Sequence, residues 1–270
     1  MSIAQFLQTA SQQLIEAGVT SARLDALLLL EDCLQRDRAW LLAHDDAPLT
    51  AAQTAALEPL IARRLNHEPL AYIRGHAEFY GRSFSVNDQV LVPRPESEAL
   101  IELFKKYAPP AARVADIGTG SGALAITAAL ETDAVVSAVD IDEACLTVAR
   151  QNAGRHTAQI SFYHGDLLLP LAGLSTAEQP QVLLCNLPYV PDNYQVNRAA
   201  QHEPAKALFA GADGLDLYRA LWQQISQHFA GVSIVITEAL PAQQAALAKL
   251  AQAHGFKLAQ TDHYGQCFIR

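Results

Sequence analysis

The fold is decided by residues 113–122, which read RVADIGTGSG. An apolar, strand-like run over residues 113–117 leads directly into a turn with three glycines, and a helical stretch follows. This order predicts a strand–turn–helix unit in which the glycines let the backbone approach a ligand at a helix N-terminus. The ligand is not expected to be a dinucleotide, because the spacing is Gly-x-Gly-x-Gly and Asp116 would repel a pyrophosphate. Asp116 could instead orient the loop or meet the ammonium of an amino-acid-like ligand.

Beyond this unit, strand-like apolar runs alternate with helical stretches. The runs lie at residues 113–117, 134–139, 160–163, 182–185 and 232–237, with two shorter ones at 256–259 and 267–269. The alternation predicts an α/β fold, a parallel sheet with helices on both faces. A turn at Tyr264-Gly265 should separate the two closing strands. Together the seven strands resemble the Rossmann-like sheet of methyltransferases.

The residues before the sheet show helical spacing and no strand pattern. Apolar positions over residues 3–15 predict a first helix that stops at Gly18. Ser21 should cap a second helix, and Thr50 should open a third. Pro59 should kink or divide that third helix. A small helical module of this kind, without a chemical motif, is better suited to gripping a partner than to catalysis.

A change of period marks the linker between the two parts. Aromatic and β-branched residues around Gly81 predict a β-hairpin, and residues 90–92 are strand-like. Residues 95–98 place a proline and two carboxylates in a first helical turn. We therefore expect a helical substrate-binding domain at 1–74, a β-hairpin linker at 75–92 and an α/β domain at 93–270.

Composition narrows the function. The chain has 270 residues, of which 50% are hydrophobic and 17% charged, so disorder is excluded as its main state. Its formal net charge of −9 disfavours nucleic acid and favours a basic protein partner. Neither a secretory signal nor a membrane span is expected. The four cysteines form no Cys-x-x-Cys pair and no zinc spacing, which suits a reducing cytoplasm, and no metal is expected.

Acidic residues after the next strands indicate a nucleoside site. Asp140 ends the second strand about twenty residues beyond the glycine turn, where a carboxylate can accept both ribose hydroxyls of NAD or of S-adenosylmethionine. Asp142 is the more natural helix cap. Asp166 and Leu167, after the third strand, would supply an acceptor for an adenine amino group and an apolar wall. The predicted cofactor site comprises Gly118, Thr119, Gly120, Ser121, Gly122, Asp140, Asp166, Leu167 and Asn186.

The sequence Asn186-Leu187-Pro188-Tyr189 follows the apolar run 182–185 and points to the acceptor chemistry. A planar amide or aryl amine is a poor nucleophile because its lone pair is delocalised. The Asn186 side-chain oxygen and a neighbouring backbone carbonyl can hold both N–H groups and orient the nitrogen towards an electrophile. Pro188 restricts Leu187 to extended geometry, and Tyr189 offers a ring for packing. We expect Asn186 and Tyr189 to be catalytic and all four residues to bind substrate.

These motifs, taken in order, resemble the release factor glutamine methyltransferases. The matching segments are residues 23–26, 68–72, 91–98, 116–122, 138–140, 186–189, 202–204, 207–208 and 211–215. The resemblance implies an N-terminal helical domain, a hairpin linker and a class I domain that uses S-adenosylmethionine and releases S-adenosylhomocysteine. It also implies a substrate, the glutamine of the Gly-Gly-Gln loop in bacterial class 1 release factors. Phe79 and Arg94 are expected to shape the substrate entrance.

Two positions depart from the family pattern. Leu187 stands where the family typically has proline, and Asn-Leu-Pro-Tyr is the form seen in ribosomal RNA adenine dimethylases. The carbonyl of residue 187 survives this change, although the loop loses one φ restraint. Leu167 falls where relatives can carry an aromatic residue beside the adenine.

Three alternatives remain open at this stage. They are a ribosomal protein glutamine methyltransferase, a methyltransferase acting on the exocyclic amine of adenine in RNA or DNA, and a cofactor-binding adaptor. Residues 190–212 form a long polar segment, with acids at Asp192 and Glu203, that we expect to face the substrate. We also expect the acidic surface to receive a basic, ribosome-directed protein.

Overall fold

The computed structural model describes residues 1–270, which divide into two compact units. Unit 1 comprises Met1–Gly75 together with Val196–His202. Unit 2 comprises His76–Gln195 and Glu203–Arg270. The domain bounds expected at residues 74 and 92 stay a prediction. The grouping of residues 196–202 with the N-terminal helices could not be foreseen from the sequence.

Unit 1 is helical. Its helices are α1 (Ile3–Glu16), α2 (Ala22–Leu34), α3 (Arg38–Ala43), α4 (Ala51–Leu65) and α5 (Leu70–Arg74). The buried faces of α1, α2 and α4 meet in one apolar core, which includes Leu14, Leu30 and Leu57. A buried ion pair between Arg64 and Asp25, 2.6 Å long, joins α4 to α2 across that core. Because each partner is desolvated, loss of one would leave an uncompensated buried charge.

The helix signals of unit 1 are partly right. Thr50 caps α4 in a capping box with Gln53, as predicted. Ser21 precedes α2, but its side chain makes no capping bond because its backbone is not extended (φ −95°, ψ 19°), so the predicted cap is wrong. Pro59 does not divide α4. Residue 55, whose carbonyl loses its donor to the proline, is exposed, so water can replace the missing bond.

The predicted hairpin is present as β1 (His76–Phe79) and β2 (Arg82–Ser85). Tyr80 and Gly81 both have positive φ, 51° and 69°, as a tight two-residue hairpin turn requires. The strand predicted at residues 90–92 is wrong. This segment has no strand beside it, and the Val92 N–H instead donates to the Glu203 carboxylate at 3.2 Å.

Seven strands form the main sheet, which confirms the predicted fold. They are β3 (Arg113–Ile117), β4 (Val135–Asp140), β5 (Ile160–His164), β6 (Val182–Cys185), β7 (Ile234–Glu238), β8 (Lys257–Asp262) and β9 (Gly265–Ile269). Their order in the sheet is β5-β4-β3-β6-β7-β9-β8. The first five strands in this order are parallel, and β9 is antiparallel to both of its neighbours, β7 and β8. The turn between β8 and β9 lies at His263-Tyr264, since Gly265 already pairs with Glu238. The predicted turn at Tyr264-Gly265 was therefore one residue late.

Helices cover both faces of this sheet, as expected. They are α6 (Glu98–Tyr107), α7 (Ala123–Glu131), α8 (Glu143–His156), α9 (Asp216–His228) and α10 (Gln244–Ala253). One face packs around Trp222 and Phe268, the other around Phe84 and Phe104. The chain leaves β3 towards β4 on one side and β6 towards β7 on the other, so a crevice opens between β3 and β6 at their carboxyl ends. None of the helices is long and apolar enough to cross a membrane.

Gly122 is the junction between the glycine turn and α7, and it can be tested against a second glycine. Its φ is 82°, and a Cβ there would meet the Ala149 Cβ of α8 at 3.1 Å. Gly122→Ala should therefore lower the free energy of unfolding by about 1–2 kcal/mol. Gly154→Ala is the matched control, because Gly154 lies exposed in α8 with open space around it.

The control should instead stabilise the protein by about 0.5–1 kcal/mol, through helix propensity. Urea unfolding measures both changes. Equal effects of the two substitutions would contradict the role assigned to Gly122.

Candidate active site

Two adjoining cavities lie in unit 2 at the carboxyl ends of the parallel strands. The larger spans about 1040 Å³ and the smaller about 330 Å³, and both volumes include space open to solvent. Asn186, Leu187 and Pro188 line both. A ligand in the larger cavity and one in the smaller cavity would therefore meet at this tetrapeptide.

The buried side chain of Asp116 is hydrogen-bonded to the glycine turn and to the helix that follows it. Its Oδ2 accepts hydrogen bonds from the Thr119 hydroxyl (2.7 Å) and the Ala125 N–H (3.1 Å), while its Oδ1 has no partner. Burial raises the pKa of Asp116 to about 7, against the two hydrogen bonds. Asp116 thus orients the loop, one of the two roles foreseen for it.

Asp140, on the neighbouring strand β4, is also hydrogen-bonded to the glycine turn. The Gly120 N–H donates to its Oδ2 and the Asp142 N–H to its Oδ1, both at 2.9 Å. Burial raises the pKa of Asp140. Each carboxylate oxygen retains a lone pair for a further donor, so the side chain can still accept hydroxyl groups in the larger cavity. Asp142 caps α8 by accepting from the Ala144 N–H at 2.8 Å, as predicted.

The turn after β5 brings Asp166 and Leu167 to the same cavity. The turn is sharp, with φ of 146° at Gly165 and 48° at Leu167. Gln224 of α9 fixes it by donating to Asp166 Oδ2 (3.2 Å) and accepting from the Leu168 N–H (2.9 Å). Gln224 could not be singled out from the sequence, because it is one polar residue within an amphipathic helix.

Asn186 is oriented by a neighbour outside its own loop. Its Nδ2 donates to the Ser97 hydroxyl at 2.9 Å, and its Oδ1 accepts no hydrogen bond from the protein. The Leu187 side chain is buried, and a Cβ on Gly118 would meet it at 3.1 Å. Leucine therefore fills space against the glycine turn at the position where the family typically has proline.

Tyr189 is fixed at both ends. Its hydroxyl donates to Glu238 Oε1 at 2.9 Å, and its carbonyl accepts from Gln243 Nε2 at 2.7 Å. Burial raises the pKa of Tyr189 far above its ordinary value, so the phenol stays protonated. Gly214 leaves room for this arrangement, because a Cβ there would lie 2.0 Å from the Tyr189 carbonyl oxygen.

Arg94 and Phe79 belong to different cavities. Phe79 lines the larger cavity, whereas Arg94 lines the smaller one and forms an ion pair with Glu203. The Glu203 side chain is buried, so this acid of segment 190–212 points inward to Arg94. The segment is irregular, as expected, apart from short 3₁₀ turns and a bridge between Val190 and Phe209.

With one exception, every residue of the predicted site lines a cavity. The larger is lined by Phe79, Gly118, Thr119, Gly120, Ser121, Asp140, Asp166, Leu167, Asn186, Leu187 and Pro188, and the smaller by Arg94 and all four residues of the tetrapeptide. Gly122, expected to bind cofactor, lines neither; it packs on α8 instead. No group of three His, Cys, Asp or Glu residues could hold a metal ion.

Sequence reasoning missed several residues at the cavities. Ser97 and Glu238 are the most consequential, and Lys206, which pairs with Asp142 at the edge of the larger cavity, is a third. Glu238 carried a usable signal, because it is an acid at the end of a buried strand, like Asp116 and Asp140. Lys206 carried none.

Comparison with known proteins finds two matching family models and many relatives. Residues 5–75 match a PrmC N-terminal domain, and residues 97–187 match a ribosomal protein L11 methyltransferase (PrmA) model. A release factor glutamine methyltransferase of Koribacter versatilis is 40% identical over 235 residues, which cover 84% of this chain and 82% of that one. One from Coxiella burnetii is 36% identical over 95% of this chain and 92% of its own.

Solved structures share the fold at low identity. A ribosomal protein L11 methylase from Lactobacillus delbrueckii subsp. bulgaricus has a TM-score of 0.51 at 19% identity, over 68% of this chain and 83% of its own. A 16S rRNA N2 G1207 methyltransferase from T. Thermophilus, in complex with AdoMet and guanosine, also has a TM-score of 0.51, at 17% identity over 72% and 49%. These similarities confirm the methyltransferase sheet.

The raised pKa of Asp116 makes stability depend on pH. The folded protein binds this proton more tightly than the unfolded chain, since the pKa rises from 3.8 to about 7. Stability should therefore fall as the pH rises through that interval, by up to about 1.4 kcal/mol per pH unit.

Asp116→Asn has no carboxyl group to titrate. The free energy of unfolding of the wild type minus that of the variant should therefore fall with this slope as the pH rises from about 5 to 7. Urea unfolding at several pH values measures it. Parallel pH profiles for the two proteins would show that Asp116 does not titrate there.

Proposed function

Since the chain belongs to the release factor glutamine methyltransferase family, we propose that it transfers a methyl group from S-adenosylmethionine to the side-chain amide nitrogen of a release factor glutamine. The observation that supports this most directly is the meeting of the two cavities at Asn186. The larger cavity would take the cofactor and the smaller one the glutamine. Both ligands would then touch the same side chain.

The larger cavity suits the cofactor in its chemistry. Asp140 keeps acceptor capacity for ribose hydroxyls, and Asp166, held by Gln224, can accept from an adenine amino group beside Leu167. The glycine turn gives close access to the backbone, and the unpaired Oδ1 of Asp116 lies beneath it. When bound, S-adenosylmethionine supplies an electrophilic methyl group on a sulfonium.

The residues of the smaller cavity orient the nucleophile. Because Ser97 takes Nδ2 of Asn186, Oδ1 can accept one N–H of the substrate amide, and the carbonyl of Leu187 can accept the other. This arrangement directs the amide nitrogen and favours its tetrahedral, more nucleophilic form. The ring of Tyr189, held by Glu238, offers a surface for the planar amide. No strong general base is needed, since the nitrogen becomes acidic once alkylated.

We propose the glutamine of the Gly-Gly-Gln loop in bacterial class 1 release factors as the substrate. The net charge of −9 favours a basic, ribosome-directed protein over free nucleic acid. Four unpaired cysteines fit a reducing compartment, so the reaction is assigned to the cytoplasm.

The main alternative is methylation of an adenine amine, which Leu187 in the tetrapeptide favours. Against it stand release factor glutamine methyltransferases that align with 84% and 95% of this chain at 40% and 36% identity. The glutamine of a ribosomal protein is a second alternative substrate, and it is chemically closer to the proposed one because methylation of its side-chain amide would be the same reaction.

Uptake of labelled methyl distinguishes these substrates. Purified release factor should be labelled, whereas release factor with Gly-Gly-Ala in the loop, ribosomal protein and ribosomal RNA should not. Labelling of RNA or ribosomal protein without labelling of release factor would overturn the proposal.

Asn186→Ala tests the acceptor site. It removes the Oδ1 acceptor, so methyl transfer to release factor should fall by at least about 100-fold. Cofactor binding, measured by calorimetry, should remain largely intact. An Asn186→Ala enzyme with normal turnover would show that the tetrapeptide does not hold the amide.

Charge on unit 1 should govern association with the partner. Asp46 and Glu58 are exposed acids of this unit, and Asp133 and Glu178 are exposed acids of unit 2. Reversing the first pair to lysine should slow association with release factor by about 10-fold at low salt, without changing methyl transfer at saturation.

Reversal of Asp133 and Glu178 alters net charge equally and should have the smaller effect. Stopped-flow measurements over a range of salt concentrations compare the two variants. Association rates that do not respond to salt would exclude an electrostatic role for the helical unit.

A further inference from the structure

Glu203 is a buried acid whose two carboxylate oxygens are both in use. The exposed fraction of its side chain is 1%. Oε1 pairs with the Arg94 guanidinium, and Oε2 accepts the Val92 N–H at 3.2 Å. A buried charge is tolerated when it is paired and hydrogen-bonded in this way. Since both partners lie in residues 92–94, the carboxylate fixes that short segment.

The Arg94 guanidinium is only partly used by this ion pair. A guanidinium carries five N–H donors. Arg94 bonds to the protein through Nη2, whereas its Nε and Nη1 donate to no protein atom. Its side chain is 37% exposed and lines the smaller cavity. A ligand that brings acceptor atoms to this wall of the cavity would therefore find donors there.

The ion pair also sets the charge at this wall. An unpaired guanidinium would repel the basic partner that the net charge of −9 favours. The Glu203 carboxylate cancels the charge and occupies only one of the three nitrogens. The remaining donors then carry little net charge between them, which suits a neutral acceptor such as a carbonyl oxygen.

The position of Arg94 indicates which carbonyl of the substrate it would meet. Asn186 lines both cavities, but Arg94 lines only the smaller one, on the side away from the proposed cofactor. The main chain of the substrate must enter from that side, because the cofactor would fill the other. A guanidinium on the side-chain amide oxygen would also draw the nitrogen lone pair into the carbonyl, against the effect of Asn186. The glycine before the glutamine has no side chain, so its own carbonyl is open to approach.

We propose that Glu203 is a positioning residue, which holds Arg94 so that its remaining N–H groups donate to the main-chain carbonyl of the glycine immediately before the acceptor glutamine. The inference rests on the proposed function. A main-chain contact is the same in the ground state and in the transition state, because only the side-chain nitrogen reacts. Its loss should therefore raise KM and leave kcat nearly unchanged.

Arg94→Lys tests the contact in the full-length enzyme. Lysine can keep the ion pair with Glu203, but its single nitrogen cannot present a second, separate donor group to the substrate. KM for release factor should rise by about 10-fold, with kcat and cofactor affinity unchanged. Arg82→Lys is the matched control, because Arg82 pairs with Glu131 and lines neither cavity, and its KM should equal that of the wild type. An unchanged KM in Arg94→Lys would overturn the inference.

Glu203→Gln tests whether Glu203 acts through Arg94. The amide keeps the size of the side chain, but it has lost the charge and one of its two ends has become a donor. KM should rise several-fold in the wild-type background and no further in the Arg94→Lys background. A purely structural role would add the same factor in both backgrounds, and that result would overturn the inference. Thermal unfolding and cofactor binding establish folding, and Glu203→Asp replaces Glu203→Gln in both backgrounds if the latter does not fold.

Semisynthetic release factor tests the acceptor atom. A thioamide at the glycine–glutamine bond replaces the carbonyl oxygen with sulfur, which is a weaker acceptor. KM of the wild type should rise several-fold, and KM of Arg94→Lys should not respond. No rise with the wild type, or an equal rise with both enzymes, would overturn the inference and leave the proposed function intact. Failure of the wild type to methylate natural release factor would overturn both.

Discussion

Asp116 ties three parts of the site to one buried carboxylate. Through Thr119 it fixes the glycine turn, through the Ala125 N–H it fixes the first turn of α7, and as part of β3 it is anchored in the centre of the sheet. The turn passes over this side chain with positive φ at Gly118, Gly120 and Gly122, and Gly118 and Gly120 line the larger cavity. The position of the larger cavity, and hence of the point where it meets Asn186, depends on this arrangement.

One structural feature recurs throughout the site, namely a polar residue at the carboxyl end of a buried strand. Polar side chains lie at the carboxyl ends of buried parallel strands: Asp116 is the penultimate residue of β3, Asp140 and Glu238 are the last residues of β4 and β7, and Asn186 directly follows β6. Because parallel strands all present their carboxyl ends to the same edge, these groups converge without needing long loops. Each also forms a hydrogen bond with a residue of another segment: Thr119 donates to Asp116, Gly120 to Asp140 and Tyr189 to Glu238, while Asn186 donates to Ser97.

The recurrence of polar residues at strand ends explains which parts of the fold and of the site could be predicted from the sequence. The seven strands, the hairpin and the tetrapeptide could be inferred because period, glycines and strand-end acids are local signals. The partners Ser97 and Gln224 could not, since their roles depend on packing between distant segments. Ser21 and residues 90–92 show the converse, because the predicted cap and strand do not form, and α4 continues through Pro59, where water can bond to the exposed backbone at residue 55.

The grouping of Val196–His202 with the N-terminal helices bears on the order in which the protein is made and folds. Within that unit, Arg198 bonds to His67 and His202 to the carbonyl of Asn66. The first helices emerge from the ribosome long before these partners do, so the helical unit must wait for most of the sheet to be synthesised before it is complete. Nascent chains shorter than 202 residues therefore lack the hydrogen bond from His202 to Asn66, and a fragment that stops at Gly75 lacks part of the unit's native surface.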